Sequence, residues 1–329
     1  MKRIVLFIVL AFAVLLVDKT QAQDAHFSQF YANPLYINPA LAGANVCPRV
    51  SISFRDQWPG LGGFTTETVS YDQYIDFLSG GVGVILMGDQ QGSVFNKTSA
   101  SLMYSLRLKL TRDIFLNLAL QASVANNSLD YSGLTYGDMI DPRFGFIYNS
   151  QAKTPGDESK TFVDFSAGTV VYGENWYGGV AFAHITQPDD GFLSYNRLPF
   201  KTTIHGGMKF NISRDKRRTN AFFGAPIISP NILYHYQGGF QDLNYGLYLD
   251  WSPFVVGAWF RQALSFTNAD AFIFLVGVEM NRFKIGYSYD LTVSSLSNVS
   301  GGAHEITLSM SFNCPEKRRK LKTISCPSF

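Results

Sequence analysis

Along most of the chain, apolar and polar residues take turns. In RFKIGYSYDLTVSSLSNVSGGAHEITLSMSF, Phe283, Ile285, Tyr287, Tyr289 and Leu291 alternate with Lys284, Gly286, Ser288, Asp290 and Thr292. After a Ser/Asn/Gly-rich gap, Ile306, Leu308, Met310 and Phe312 alternate with Glu305, Thr307, Ser309 and Ser311. Successive side chains of a strand point to opposite faces, so this period of two predicts strands with one apolar face. The same pattern marks roughly fourteen segments, each near the ten residues a tilted membrane strand requires. Their centres lie at Ser53, Val69, Val84, Tyr104, Leu118, Ala167, Val180, Gly206, Ile228, Leu247, Gly257, Leu275, Gly286 and Leu308. Pro226 and Pro230 flank the segment at Ile228. Proline has no N–H to give to a ladder, which predicts a bulge or a broken strand there.

The connections sort by parity. Gaps after odd segments are mostly long (90–97, 126–160, 187–200, 264–270, 294–302). Gaps after even segments are mostly short (111–113, 173–175, 252–253, 281–282). Outer-membrane barrels have short periplasmic turns and long outer loops, whereas a soluble sandwich has no reason to sort its loops this way. The predicted fold is all-β: a transmembrane antiparallel β-barrel of about fourteen strands, with both chain ends periplasmic. Its polar face lines the lumen, with Arg107, Lys109, Lys284, Asp290 and Glu305 on the inward register. Its aromatic-rich face meets lipid, with Tyr287, Tyr289 and Trp251 expected near the interfaces.

Composition agrees. Of 329 residues, 46 % are hydrophobic, 15 % aromatic and only 16 % charged, against about a quarter charged in a soluble domain. Mean hydropathy is nevertheless only +0.03. A barrel reconciles the two, because every other strand residue faces water. A large soluble β-sandwich or solenoid satisfies composition alone, but not the loop parity. The net charge of +2 discriminates nothing. At the start, Lys2 and Arg3 precede an apolar run from Ile4 to Val17 and then Thr20-Gln21-Ala22. This reads as a secretory signal cleaved after Ala22, with a run shorter than the roughly 20 residues of a spanning helix. No cysteine at the cut calls for a lipid anchor. Outer-membrane lipid is the expected surrounding, and the compartment rules out nucleic acid as a partner.

The expected divisions are 1–22 signal peptide, 23–47 N-terminal periplasmic or plug-like segment, 48–313 barrel and 314–329 basic periplasmic tail. Asn38-Pro39-Ala40-Leu41-Ala42-Gly43 offers an N-cap, a proline at the first helical position and a glycine stop, hence one helical turn. Asn33-Pro34 starts another. The 23–47 segment reads either as a tether along the barrel rim or as a plug or docking element, since Phe27, Phe30, Tyr31, Leu35 and Tyr36 need burial. Two basic clusters, Arg214/Lys216/Arg217/Arg218 and Lys317/Arg318/Arg319/Lys320/Lys322, are either solvated or meet anionic headgroups or an acidic partner. Of three cysteines, Cys47 precedes the first strand and Cys314 follows the last. Barrel closure brings those positions together, so Cys47 is expected to pair with Cys314 or Cys326.

Catalytic signals are missing from the sequence. The five histidines form no metal-type pair at helical or short-loop spacing, and there is no G-x-S-x-G, H-E-x-x-H or P-loop. No cofactor, metal or catalytic residue is expected. His304-Glu305 is the one candidate for part of a lipid-hydrolase site, and reads more simply as a rim feature.

Two stretches carry a resemblance. FSQFYANPLYINPALAG and GYSYDLTVSSLSNVSGGAHEITLSMSF resemble the PorP/SprF family of outer-membrane proteins, over essentially the whole chain after the signal. The matching positions are Phe27, Ser28, Gln29, Asn33, Pro34, Asn38, Pro39, Ala40 and Gly43, and then Gly286, Tyr287, Tyr289, Asp290, Leu296, His304 and Glu305. The resemblance implies an accessory barrel of the type IX secretion system, which also serves gliding motility. It implies a non-enzymatic role in the secretion and surface anchoring of cargo with a C-terminal sorting domain, gliding adhesins included. Implied partners are that cargo and other secretion components, among them a periplasmic peptidoglycan-binding protein. The competing readings are a channel for fatty acids or other small hydrophobic solutes, against which the inward positions are mixed small and charged, and a lipid-modifying enzyme acting through His304.

Overall fold

The computed structural model describes residues 24–45, 47–130, 134, 136–148, 150–151, 159–192, 194–212, 225–264, 269–293 and 300–313. The signal peptide, Cys314, Cys326 and both basic clusters lie outside them. Fourteen long strands form one antiparallel sheet. They are β1 (Arg49–Gln57), β2 (Phe64–Ile75), β3 (Gly80–Gln91), β4 (Phe95–Lys109), β5 (Phe115–Leu129), β6 (Ser159–Tyr172) and β7 (Trp176–Ala183). There follow β8 (Lys201–Met208), β9 (Ile227–Gln237), β10 (Phe240–Trp251), β11 (Phe254–Ala263), β12 (Ala269–Met280), β13 (Phe283–Thr292) and β14 (Ala303–Ser311). Each pairs with its neighbour in sequence, and β1 pairs with β14 from Arg49↔Ser311 to Gln57↔Ala303. That pairing closes the barrel. Every centre expected from the alternation falls within its own strand. Among the described residues no helix is long and apolar enough to cross a membrane.

Alternation decides the two faces. On β1, Ile52 and Phe54 are exposed, while Ser51, Ser53 and Arg55 are buried. The outward set continues with Val69, Leu86, Leu102, Leu118, Val163, Leu247, Phe274 and Leu308, an apolar belt around the barrel. Trp251 sits outward at a strand end, whereas Tyr287 falls at mid-strand and answers for its hydroxyl by bonding His304 Nδ1 (2.8 Å).

Loop lengths sort less cleanly than expected. Strands β3 and β4 extend to Gln91 and from Phe95, so the gap expected over 90–97 shrinks to residues 92–94. Gly238 and Gly239, both at positive φ, make a two-residue hairpin between β9 and β10, as a primed turn demands. Three long connections, 130–158, 184–200 and 293–302, share one end of the barrel, the loop end, but the equally long connection 209–226 between β8 and β9 lies at the opposite, turn end. The strand expected to break at Pro230 runs unbroken. Instead its partner breaks: pairing to β8 stops at Asn231 and resumes with Phe210↔Ile228, leaving Pro230 in the gap. A residue with no N–H costs nothing there.

Residues 24–44 lie inside the barrel and not along its rim. Asp24 meets Lys97, His184 and Gln237 at the loop end, and Gly43 meets Asp72 at the opposite, turn end. The segment therefore runs the length of the lumen, and the two described ends of the chain occupy opposite rims, so the expectation of both on one side does not hold for Asp24. It is built of single turns, Phe30–Ala32, Pro34–Ile37 and Pro39–Leu41. Each proline takes a first-turn position, where its missing N–H has no partner to lose. Asn38 caps the last turn through Oδ1, which accepts from the Ala40 N–H (2.9 Å). Gly43 ends it at φ +65°, where a Cβ would lie 2.6 Å from Gly81 Cα.

Cys47 is disulfide-bonded, and the neighbouring Phe312 N–H donates to Pro48 O (2.9 Å), holding the seam's two ends together. Non-reducing digestion and mass spectrometry are expected to yield one peptide joining Cys47 to Cys314 or Cys326. Cys47→Ser is expected to lower unfolding stability by about 2–4 kcal/mol. Three free thiols in the mature protein would remove this seam staple.

Candidate functional site

The inward face of the strands is rich in small polar residues, among them Ser51, Ser53, Thr68, Ser105, Ser123, Ser166, Thr203, Ser288 and Thr307, all buried. They leave room for the N-terminal segment and supply its hydrogen bonds. Deepest is a cluster of four charges. Arg55 of β1 donates from Nη2 to Asp290 Oδ2 (3.0 Å) and from Nη1 to Glu305 Oε2 (3.2 Å). Arg261 of β11 donates from Nη1 to the same Asp290 oxygen (3.3 Å). Two guanidinium groups thus meet two carboxylates, and the cluster is neutral. Arg55 is 2 % exposed and Glu305 0 %, so these two charges have almost no water to fall back on.

The segment completes the cluster. Ser28 Oγ donates to Asp290 Oδ2 (2.5 Å) and accepts from Arg55 Nη1 (2.7 Å) and Arg261 Nη2 (3.2 Å). The Ser28 N–H donates to Glu305 Oε2 (2.6 Å) and the Gln29 N–H to Glu305 Oε1 (3.1 Å). Gln29 also donates from Nε2 to Glu305 O (2.8 Å) and accepts from Thr307 Oγ1 (2.6 Å). Further down, Asn33 Nδ2 donates to Thr68 Oγ1 (2.9 Å). Asn38 Nδ2 reaches Thr169 O (3.1 Å), Val180 O (3.2 Å) and His205 Nε2 (3.1 Å). Gly168 makes this fit, since a Cβ there would lie 2.1 Å from Asn38 Oδ1. Ala40 O accepts from Ser105 Oγ (3.1 Å) and Asn117 Nδ2 (2.9 Å), and the Gly43 N–H donates to Asp72 Oδ2 (3.0 Å), itself paired with Arg49.

Between the polar anchors the contacts are aromatic. Phe30 meets Trp259 edge-on (5.1 Å), and Tyr31 meets Tyr177 (5.8 Å) and Tyr248 (6.3 Å). These rings and Leu41, Leu233, Ile273 and Leu275 form one buried cluster. A cavity of about 110 Å³ remains beside the segment's start, bordered by Asp24, Tyr36, Lys97, Phe162, His184 and Lys201.

At that start, Asp24 pairs with Lys97 Nζ (3.0 Å), His184 Nε2 (2.8 Å) and Lys201 Nζ (3.4 Å), while His184 Nδ1 bonds Asp164 (2.8 Å). Burial opposes the charge on Asp24, but Lys97, His184 and Lys201 outweigh it and hold the carboxyl well below the usual range. Burial likewise disfavours a charged His184. Its two carboxylate neighbours prevail and raise it from 6.5 to about 9.

Of the residues singled out in sequence, Gln29, Asn33, Asn38, Gly43, Asp290 and Glu305 converge here, and Pro34 and Pro39 shape the turns between them. Tyr287, Tyr289 and His304 do not. They face outward, with the Tyr289 and His304 rings 5.0 Å apart, on the opposite side of the wall from Glu305, so His304 and Glu305 do not act as a pair. Arg261, Asp72, Asp24 and His184 were not singled out. For Arg261, Asp72 and His184 the only sequence signal is a charge on, or next to, an inward strand position, and Asp24, ahead of the first strand, has none.

Two outcomes are expected. Arg55→Met leaves two buried carboxylates short of a partner and is expected to cost about 3–5 kcal/mol, against about 1 kcal/mol for Asn33→Ala, which removes one neutral hydrogen bond. Denaturation midpoints in detergent check both; equal effects would show that the charge cluster does not hold the segment. For His184 the folded pKa lies above 6.5, so its contribution is whole below pH 6.5 and is lost as pH rises through about 9. Hydrogen exchange of residues 24–30, corrected for intrinsic rate, is expected to be flat up to pH 6.5 and to lose protection by about pH 9. Unchanged protection would show that the ion pairs do not secure this end.

Among solved structures, the barrel is similar to a TodX mutant monoaromatic hydrocarbon channel (TM-score 0.46, 10 % identity, 84 % of this chain and 94 % of that one). It is also similar to the outer membrane protein Omp33 of Acinetobacter baumannii (0.42, 11 %, 81 % and 98 %) and to a Pseudomonas aeruginosa FadL homologue (0.41, 10 %, 84 % and 93 %). No curated protein matches the sequence. The family described as type IX secretion system membrane protein PorP/SprF matches residues 19–310, the span that holds both the closed barrel and the segment packed within it, and the chain belongs to that family.

Proposed function

We propose that this outer-membrane barrel of the type IX secretion system is a non-enzymatic docking element, supporting secretion and surface anchoring of cargo that carries a C-terminal sorting domain, gliding adhesins included. One observation carries the reading. The long connection between β5 and β6 holds a small hairpin, 140–141 paired with 145–146, at the loop end of the barrel. Its Ile140, Phe144, Phe146, Ile147 and Tyr148 are all exposed, Phe144 at 75 %. Several exposed apolar side chains gathered on one short hairpin of a connecting loop are what an interaction site offers. With the loop end outward and the turn end periplasmic, this hairpin faces the cell exterior, where sorted cargo is held. The turn end, with the basic tail, faces other secretion components, including a peptidoglycan-binding partner.

A channel for small hydrophobic solutes requires an open path, and the lumen is occupied along its length by residues 24–44. Polar anchors at both ends and in the middle oppose free passage.

The test is a double change, Phe144→Ser with Phe146→Ser, compared with deletion of the gene. Sorted cargo on the cell surface is expected to fall several-fold in the variant and to vanish in the deletion, with the barrel itself present at normal level in the outer membrane. Normal surface display of cargo in the deletion strain would end the docking reading, and loss of solute uptake there would favour the channel.

A further inference from the structure

We propose that His26, His235 and Asp242 form a binding site for a divalent first-row transition-metal ion, which clips the start of the lumenal segment to the barrel wall. The three residues come from separate elements, so no sequence spacing signals them. His235 on β9 and Asp242 on β10 are direct cross-strand partners beside the Gly238-Gly239 hairpin. Both point inward and are buried. His26 of the lumenal segment comes to meet them. Its Nδ1 lies 3.4 Å from Asp242 Oδ2, and its ring stands at 75° to the His235 ring with centroids 5.6 Å apart.

One donor atom from each residue lies within 4.8 Å of the others. Ligands at zinc-like distances of about 2.0–2.1 Å sit roughly 3.3 Å apart in a tetrahedron. The His26–Asp242 pair already has that spacing, and His235 closes the remainder by a side-chain shift of at most roughly 1.5 Å.

Two further observations point to a ligand. Asp242 Oδ1 is buried without a hydrogen-bond partner; the Asn244 amide faces it but closes no bond of ordinary geometry. A buried carboxylate oxygen left unpaired is costly, and a cation removes the cost. The outer partner of His235 is also in place: Thr203 Oγ1 lies 2.9 Å from His235 Nδ1. With Nδ1–H donating to that hydroxyl, Nε2 carries the free lone pair, the arrangement that orients metal-binding imidazoles. Two imidazoles and a carboxylate suit zinc and its first-row neighbours over magnesium or calcium, which take all-oxygen sets. Lys201 and Arg261 bear positive charge toward the same space, so they weaken the site and make its affinity sensitive to their removal.

The site has a consequence for the segment. Bound metal ties His26 to two strands at the loop end, next to the Asp24 ion pairs, and adds a cross-link where the segment enters the lumen.

The full-length protein, purified in detergent and stripped with chelator, is titrated calorimetrically with Zn²⁺, and with Co²⁺ while its visible absorption is followed. One ion per chain is expected, with a Co²⁺ band showing nitrogen–oxygen ligation. His235→Gln and Asp242→Asn are each expected to weaken binding at least about tenfold, and Lys201→Met to strengthen it. His26→Gln, at the entry end of the segment, repeats the test without touching the wall. Zn²⁺ is expected to slow proteolysis near residue 26 in the parent protein and not in Asp242→Asn. Absence of one-to-one binding in the parent, or affinities unchanged across the His26, His235 and Asp242 variants, would overturn the proposal. Neither result bears on cargo display.

Discussion

The Arg55 guanidinium, held between Asp290, Glu305 and Ser28, is the interaction on which the rest of this structure depends. It joins the first strand to the last two directly, and it also bonds Ser28 of the chain segment that precedes the first strand. A charge with almost no access to water is tolerable only when paired and hydrogen-bonded, and losing one partner strands the other. Here the pairing involves both ends of the folded chain at once: strand β1, strands β13 and β14, and the segment around Ser28 and Gln29. Closing the barrel and filling it are therefore one event energetically. Glu305 in particular has no complete set of partners until the Ser28 and Gln29 N–H groups arrive.

Strand number explains why something must fill the interior. Eight strands enclose a space that their own side chains occupy, and sixteen or more leave an aqueous channel. Fourteen lie between, and most inward residues here are small. The wall alone leaves space that side chains of this size do not fill. The segment takes that space with Phe30, Tyr31, Leu35 and Leu41, and its backbone polar groups, which have no strand to pair with, are met by Ser105, Asn117, Asp72 and Glu305. A polar lumen thus serves a packed core: the hydroxyls that a channel would offer to water are offered to a peptide.

Much of this was legible in the sequence. Strict alternation over strands such as β5 and β13 sets number, register and facing, because a one-residue slip would put Lys284 or Asp290 into lipid. The turn chemistry of Asn38-Pro39 and Gly43 was equally readable. Less readable was where the segment goes. An aromatic stretch that does not alternate needs burial, but periodicity contains no information on what buries it. Glu305 and Asp290 look like any inward charge until Arg55 and Arg261, far away in the chain, are placed across from them. His304 shows the reverse hazard. Beside Glu305 in sequence it suggests a catalytic pair, yet the alternation that predicted the strand already assigns the two residues to opposite faces. Loop parity misled at 92–94, where strands extended into residues whose polarity read as loop, and the rule fails again at 238–239, which is short on the loop end, and at 209–226, which is long on the turn end.

The two ends of the lumenal segment are not equivalent. At the turn end, residue 44 leads within a few residues into β1, so that end is fixed by covalent structure as well as by Asp72 and Arg107. At the loop end, Asp24 is held by side-chain ion pairs with Lys97, His184 and Lys201 and by one hydrogen bond from its N–H to Gln237 Oε1. Any withdrawal of the segment must begin at Asp24 and proceed toward Ser28, and it meets the charge cluster only after the first few residues have come free. A short, titratable anchor followed by a deep, costly one makes local release of residues 24–27 far easier than opening of the lumen. The same end of the barrel carries the exposed hairpin around Phe144. Whatever docks at that rim meets the one part of the interior that can respond to it, while the packed middle keeps the wall closed.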